Sequence, residues 1–422
     1  MRILNLLAGL VSIAAATQGL AQESLSTTKS YALRPEGKTL PAGVARLRLP
    51  YLMATGSEAY DKDGNKSDAV VKVTATAGAV VAEYGLSDKI SLQVKTDYIL
   101  SQKVEVNPNS AAYSDLKSKT YSANTATLAT ATKVAITDEA SLATAIKTAF
   151  IGDCMKGGDT AQVCATNYES GALNSARATA LGLASSFGAG SASVSAKAYA
   201  TAAAAATESA VSSGIKGKAA SEGGRGMGDT IAGVLYEAYD TNSLFVALAG
   251  GIRLPTGNRD LTGTEQDTTR SAYEVGLRFN LDALPMDWLM ISWQNQSELG
   301  FMGTKRKVSG VTEEHKRDGV RNVGFVYLKP SLEAVSPSLS AFRASVGLTY
   351  DYDSAEIVKK SGVETATQHS QMNWAYASLG YSLLGMQFPL EIDVEHEMPY
   401  KGKNVTLATK KTTVTAKAYA KF

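Results

Sequence analysis

The sequence predicts an all-β membrane protein: an antiparallel, up-and-down transmembrane β-barrel of about twelve strands, with a long, partly α-helical extracellular insert after the third strand. Three observations predict this fold. Apolar and polar residues alternate with period two over many stretches of about ten residues, the length that a membrane-spanning strand needs. The connections between these stretches are short and long in turn. The chain also begins with a segment typical of an export signal.

The clearest alternation lies in LFVALAGGIRLPTG, at 244–257. Leu248 falls on one face of the predicted strand, whereas Ala247 and Arg253 fall on the other. The segment SAYEVGLRFNLDAL, at 271–284, repeats the pattern. A two-sheet sandwich in water shows the same alternation, so the pattern by itself leaves both folds open. The length and number of the strands favour the barrel.

The first residues of the chain have the composition of a secretory signal peptide. Arg2 precedes an apolar run from about 3 to 16, and small residues precede a predicted cleavage after Ala21. We therefore assign 1–21 to the signal peptide and the polar stretch 22–43 to a periplasmic lead. A first membrane helix is the weaker interpretation, because the apolar run is shorter than the roughly 20 residues of a helical span.

An even number of strands places both ends of the mature chain on the periplasmic side of the membrane. The barrel then consists of strands 1–3 at 44–103 and strands 4–12 at 227–422. We place the individual strands at 44–55, 69–84, 89–103, 227–240, 243–256, 271–284, 288–301, 321–333, 339–353, 371–384, 388–400 and 404–422.

The predicted connections alternate in length up to the last one. Bacterial barrels have short periplasmic turns and longer outer loops, whereas a sandwich gives no reason for such alternation. The pattern therefore favours the barrel over a soluble sandwich. The short connections are 85–88, 241–242, 285–287, 334–338 and 385–387, and the long ones are 56–68, 104–226, 257–270, 302–320 and 354–370.

The long connection at 104–226 is rich in Ala, Ser and Thr and lacks the alternation of the strands. We predict helices from about 138 to 152, from 172 to 187 and from 196 to 210; a disordered, low-complexity loop is the alternative. Cys154 and Cys164 lie ten residues apart in an exported chain, which predicts a local disulfide. A metal site is the weaker interpretation, because no histidine lies nearby.

Charged residues of both signs fall on the predicted inner face of the barrel, where we expect water and ion pairs across the lumen. The predicted pore-lining residues are Arg46, Arg48, Lys72, Lys95, Asp97, Arg253, Glu274, Arg278, Glu298, Arg343, Asp351, Asp353, Glu391, Asp393 and Glu395.

The sequence offers little for catalysis. The three histidines are His315, His369 and His396; the first two fall in predicted loops and the third on the lipid-facing side of its strand. No nucleophile and base are placed together by a recognisable pattern. We therefore predict neither enzymatic activity nor a cofactor.

One segment resembles a known family. Gly226, Gly228 and Asp229 begin an apolar strand that ends at Tyr236, and the next strand closes on Leu-Pro-Thr-Gly at 254–257. This pattern is similar to that of the MetA-pathway phenol-degradation family of outer-membrane proteins. The resemblance implies an outer-membrane barrel that is distantly like the transporters of long-chain fatty acids and aromatic hydrocarbons. It implies no catalytic residues.

These observations lead to two hypotheses for a protein of the Gram-negative outer membrane. In the first, the barrel is a passive channel for small solutes, including apolar or aromatic ones if the family likeness extends to transport. In the second, a non-conducting barrel anchors the helical insert as a surface module for binding or adhesion. The expected partners are membrane lipid, a small solute and the barrel-assembly machinery, which would read the C-terminal strand ending at Phe422. The formal net charge of +2 gives no reason to expect nucleic acid.

Overall fold

A computed structural model describes residues 38–170, 172–173, 194–222, 225–257, 260–261, 272–308, 311–317, 319–354, 356–360, 363–366, 369–383 and 389–421. The predicted signal peptide, most of the predicted periplasmic lead and Phe422 lie outside the described residues.

Within the described residues, twelve long strands form one closed antiparallel sheet. Each strand pairs with its neighbour in the chain, and the last strand pairs with the first, from Val44 opposite Lys421 to Tyr60 opposite Val405. The predicted up-and-down barrel is therefore confirmed. The strands are β1 (Val44–Tyr60), β2 (Lys66–Ser87), β3 (Ile90–Val106), β4 (Gly226–Asp240), β5 (Leu244–Leu254), β6 (Ala272–Met286), β7 (Leu289–Val308), β8 (Val320–Pro330), β9 (Phe342–Asp353), β10 (Ser370–Leu383), β11 (Leu390–Lys403) and β12 (Val405–Lys421).

The barrel is apolar outside and polar inside. Leu248 in β5 and Leu277 in β6 are 48% and 66% exposed, whereas Ala247 and Glu274, on the other face of the same strands, are 0% and 1% exposed. A sandwich in water would bury the leucines and expose the glutamate. Because the opposite holds, the outer surface suits hydrocarbon rather than water.

The connection between β1 and β2 is shorter than predicted. The sequence pattern predicts a loop at 56–68, but the strands continue to Tyr60 and resume at Lys66. The carboxylate of Asp61 accepts hydrogen bonds from the backbone N–H groups of Asp63 and Asn65, both at 2.8 Å. This Asp-centred turn lets the hairpin continue, and it makes β1 and β2 longer than the roughly 9–11 residues of a membrane-spanning strand.

Two other predicted loops also contain strands. The end of β7 runs to Val308 and pairs with a strand at Val311–Arg317. That strand pairs with Glu356–Lys360, which in turn pairs with Val363–Ala366. The loops predicted at 302–320 and 354–370 are therefore partly β-structure, because their Val, Thr and Ile residues continue the backbone hydrogen-bond ladder beyond the barrel strands.

A second compact unit comprises Asp68–Val71 and Glu105–Ala219. Among its described residues the core contains Tyr121, Leu142, Phe150 and other buried apolar side chains. Its helices are α1 (Ala111–Asn124), α2 (Ala126–Thr132), α3 (Glu139–Lys156), α4 (Ala161–Ser170) and α5 (Ala196–Glu222).

The helical insert differs in detail from the prediction. Asp138 begins α3 with a capping box, and the backbone N–H of Ser141 that donates to its carboxylate holds the pKa of Asp138 below its usual range. The helix predicted at 172–187 is wrong at its start, where Ala172–Leu173 pairs as a strand with Val194–Ser195 because its backbone groups find partners there. The rest of that helix, 174–187, lies outside the described residues.

Cys154 at the end of α3 and Cys164 in α4 form a disulfide, with their Cα atoms 5.7 Å apart. Together with Asp159 they are the one group of close potential metal ligands in the part of the chain that the structure describes. Both sulfur atoms are taken by the disulfide, which argues against a metal there. None of the described helices is long and apolar enough to cross a membrane.

Candidate transport lumen

The barrel encloses a cavity of about 310 Å³. Among the described residues, side chains from every barrel strand except β5 line it, together with the residues that precede β1. The inward positions alternate along each strand with the lipid-facing ones, so the apolar exterior and the polar cavity result from the same period-two pattern. Most of the side chains that line the cavity are charged or polar.

A first network lies where β1 and β2 are neighbours. Arg46 and Arg48 are two residues apart on the inner face of β1, and both bind the buried carboxylate of Glu83 in β2. The amide of Gln93 in β3 donates a third hydrogen bond to this carboxylate, at 2.8 Å. The guanidinium carbon of Arg46 also lies 5.9 Å from the ring centre of Tyr419 in β12, so this network extends across the strand pair that closes the barrel.

A second network runs around the wall from β5 to β9. Arg253 donates to Glu274 at 2.8 Å and to Glu298 at 3.1 Å. Arg321 donates to the other oxygen of Glu298 at 3.3 Å and to Asp351 at 3.0 Å. Each of these residues comes from a different strand, and each faces inward. Buried charges need such partners, because taking an unpaired charge out of water is costly.

A third network connects β9, β11 and β12. Arg343 lies 3.0 Å from Glu391 and 2.8 Å from Asp393, and Lys417 lies 2.8 Å from Asp393. Gly380 of β10 lies beneath these groups. A Cβ atom at Gly380 would lie 2.1 Å from an oxygen of Asp393, so a side chain there would displace the carboxylate.

Aromatic rings form a stack on another part of the wall. The ring centres of Phe325 and Tyr327 in β8 are 4.0 Å apart, and those of Tyr327 and Tyr376 in β10 are also 4.0 Å apart. Gly347 of β9 lies between Tyr327 and Tyr376 in the sheet. Its missing side chain makes room for the rings, because a Cβ there would lie 2.7 Å from Tyr327 Cδ1.

The residues before β1 also line the cavity. The backbone N–H of Leu40 donates to Ser91 Oγ at 2.8 Å, and the side chain of Leu40 is buried against Val44 and Tyr419. Lys38 forms an ion pair with Asp240 at 3.3 Å. The described end of the lead is therefore bound to the wall of the barrel by several contacts.

Apart from Lys72, the structure separates the predicted pore-lining residues into three groups. Lys95 and Asp97 pair with each other at 2.9 Å and are half-buried, away from the cavity. Asp353 lies 4.0 Å from Arg321, at the edge of the second network with Arg253, Glu274, Glu298 and Asp351. The predicted residues that line the cavity are Arg46, Arg48, Arg278, Arg343, Glu391, Asp393 and Glu395.

Lys72 is the one predicted pore-lining residue that falls on the opposite face. Lys72 is exposed, whereas its neighbour Val73, and Val81 further along β2, are buried. The prediction assumed that the valines of this strand face lipid. In β2 they face inward, so the alternation of side chains directs Lys72 outward.

Sequence reasoning missed Glu83 and Arg321, which are central to the first two networks. Glu83 shares the face of Val81, and the inverted assignment of β2 concealed it. Arg321 begins a strand whose inner face also carries Phe325 and Tyr327, so β8 lacks the apolar–polar contrast that marks the other strands.

The segment at 226–257, whose pattern is similar to that of the phenol-degradation family, forms one local unit in the structure. Asp229 is buried in β4 and accepts a hydrogen bond from the backbone N–H of Gly257, at 3.4 Å. Thr256 donates to the carbonyl of Gly228, at 3.1 Å. The Gly-x-Gly-Asp segment and the Leu-Pro-Thr-Gly segment therefore fasten adjacent ends of β4 and β5 to each other.

A closed antiparallel barrel with an apolar exterior and a charged interior defines an integral protein of the bacterial outer membrane. No family model matches the chain, and no curated protein matches it. Solved structures with a similar architecture are outer-membrane proteins. An outer-membrane channel from Pseudomonas putida F1 is 12% identical, with a TM-score of 0.49, over 92% of this chain and 98% of that one.

Two further solved structures are more distant. A Pseudomonas aeruginosa FadL homologue is 7% identical, with a TM-score of 0.32, over 94% of this chain and 98% of that one. The Pseudomonas putida toluene transporter TodX is 8% identical, with a TM-score of 0.31, over 96% of this chain and 94% of that one. Likeness at this level carries no inference about the chain.

Proposed function

We propose that this protein is a passive outer-membrane channel for small solutes. The observation that carries the proposal is the cavity of about 310 Å³ with charged walls inside a barrel whose exterior is apolar. Twelve strands enclose a lumen between the side-chain-filled interior of an eight-stranded barrel and the open channel of a porin. A barrel that served only as an anchor would have no need for three networks of inward charges, because apolar side chains fill an interior at lower cost.

The proposal includes aromatic solutes, because the stack formed by Phe325, Tyr327 and Tyr376 borders the lumen. It also includes a distant relation to the MetA-pathway phenol-degradation family, supported by the motif that joins β4 to β5. We propose no catalytic activity. The imidazole of His396 is exposed and hydrogen-bonds to Thr412 at 2.9 Å, on the face of β11 opposite the cavity.

Conductance across a planar lipid bilayer tests the channel. We expect the full-length protein to produce discrete single-channel current steps. Glu395→Gln, which removes a charge from the wall of the cavity, should change the conductance and the ion selectivity. Glu333→Gln is the matched control, because Glu333 is exposed in the connection between β8 and β9.

Two outcomes would contradict the proposal. A correctly folded protein that remains silent in the bilayer would favour the alternative function, in which the barrel anchors the helical insert. Equal effects of the two substitutions would show that ions do not pass along the charged wall.

A further inference from the structure

We propose that the cavity binds aromatic anions, small carboxylates that carry one benzene ring, and that this binding makes the channel selective for them. The inference deepens the proposed function, and its selectivity part rests on that function. Its binding part can be measured without any conductance. Three properties of the cavity support it: the sign of its charge, the rings on its wall and its size.

The charge of the wall favours anions. Among the described residues, seven basic and four acidic side chains line the cavity, and one of the basic ones, Lys38, pairs with Asp240 outside this lining, which leaves an excess of two positive charges. The first network contributes to the excess, because Arg46 and Arg48 share the single carboxylate of Glu83. The third network is balanced, since Arg343 and Lys417 face Glu391 and Asp393. A cleft lined mainly by one sign of charge concentrates solutes of the opposite sign.

Three of the four acidic side chains of the wall are already engaged by basic ones, namely Glu83, Glu391 and Asp393. Glu83 accepts hydrogen bonds from two guanidinium groups, and Asp393 lies 2.8 Å from both Arg343 and Lys417. A cation that entered would compete with these internal partners for each of these carboxylates. An anion meets a wall on which the positive charges outnumber the negative ones, so the cavity distinguishes the two signs.

The rings provide the second property. Phe325 and Tyr376 border the cavity, and Tyr327 is stacked between them. The planes of Phe325 and Tyr327 differ by 2°, so the stack presents a flat aromatic face. A planar aromatic ring that extends such a stack gains stacking energy in addition to the energy of burying its apolar area. A saturated ring of the same size gains only the latter.

The two properties meet within one strand. Lys329 follows Tyr327 by two residues on the inner face of β8, is buried, and lines the same cavity as Phe325. A carboxylate bonded to a benzene ring therefore meets basic and aromatic side chains in the wall of one cavity. The cavity volume of about 310 Å³ lies at the lower end of the roughly 300–1,000 Å³ of small-molecule sites, which suits one ring and excludes long chains.

Equilibrium dialysis of the folded, detergent-solubilised protein against radiolabelled benzoate tests the binding. We expect saturable binding of benzoate. As competitors, cyclohexanecarboxylate and benzyl alcohol should displace the radiolabelled benzoate at least about tenfold less well than unlabelled benzoate does, because the first lacks the aromatic ring and the second lacks the charge. Tyr376→Leu should weaken benzoate binding about three- to tenfold. Lys329→Gln should weaken it roughly tenfold.

Lys401→Gln is the matched control for the lysine, because Lys401 is exposed in β11 and does not line the cavity. It should bind benzoate like the unchanged protein. Heat-modifiable migration on gels verifies that each variant is folded. Equal affinity for benzoate and benzyl alcohol, or unchanged binding by both cavity variants, would overturn the proposal.

The bilayer experiment then separates the two proposals. Under a potassium benzoate gradient we expect a reversal potential whose sign shows that benzoate passes more readily than potassium. Lys329→Gln should shift this potential towards zero. A silent protein that binds benzoate would overturn the channel and leave the site standing. A conducting protein with no preference for benzoate over potassium would overturn the selectivity and leave the channel standing.

Discussion

Replacing Leu277 by arginine tests whether the outer face of the barrel meets lipid. Leu277 is the sixth of the fifteen residues of β6, pairs with Gly250 and Ser297, and is 66% exposed. This position lies near the middle of the strand and therefore near the middle of the bilayer. A charged arginine at the midplane of such a barrel costs about 2–4 kcal/mol, which lowers the folding equilibrium constant by about 30-fold to 1,000-fold.

The assay is reversible, urea-dependent folding into phospholipid vesicles, followed by tryptophan fluorescence and by migration on gels. Val335→Arg is the matched control. Val335 is 78% exposed, but it lies in the connection between β8 and β9, where an arginine remains in water. We expect it to change the free energy of unfolding by less than about 0.5 kcal/mol. Similar losses for the two substitutions, or no loss for Leu277→Arg, would refute the lipid-facing assignment.

Two further predictions concern packing and the disulfide. Gly380→Ala should lower the free energy of unfolding by about 1–3 kcal/mol, because the new Cβ would lie 2.1 Å from an oxygen of Asp393. Gly250→Ala is the control and should have little effect, since the nearest atom to its Cβ would be a leucine methyl at 3.8 Å. Equal changes for the two variants in urea unfolding would contradict this account. Replacing both Cys154 and Cys164 by serine should destabilise α3 and α4 by about 2–3 kcal/mol through loss of a ten-residue cross-link, measured as faster amide hydrogen exchange in those helices. Exchange that is unchanged in α3 and α4 would contradict a stabilising role for the disulfide.

The strands of the barrel were largely predictable because lipid and water impose a simple rule. In β6 every second side chain from Ala272 to Asp282 faces inward, as the alternation of residues predicts. The same rule misled in β2, where Val73 and Val81 face inward and Lys72 does not. An apolar residue is tolerated on the inner face of a barrel, whereas a charged one at the midplane of the outer face is not, so a valine carries less information about direction than an arginine does.

The connections were harder to predict than the strands. Loops carry no periodic pattern, and their structure depends on hydrogen bonds that the sequence shows only weakly. The turn at 61–65 depends on one carboxylate, that of Asp61, and the strand at Val311–Arg317 depends on a partner at Glu356–Lys360 far along the chain. The disulfide between Cys154 and Cys164 was easier, because ten residues in an exported chain make the pairing local.

The sequence by itself determined that this chain forms a barrel, how many strands it has and that charges fill its interior, because the alternation of residues is joined by long strands and by connections that alternate in length. Only the tertiary structure decided which charges pair and where the cavity lies. Arg46 meets Tyr419 only because the last strand closes against the first, and Glu298 joins two arginines only because four neighbouring strands align in register. Periodicity is a property of each strand alone, whereas these contacts depend on the register between strands, which is fixed when the ring closes.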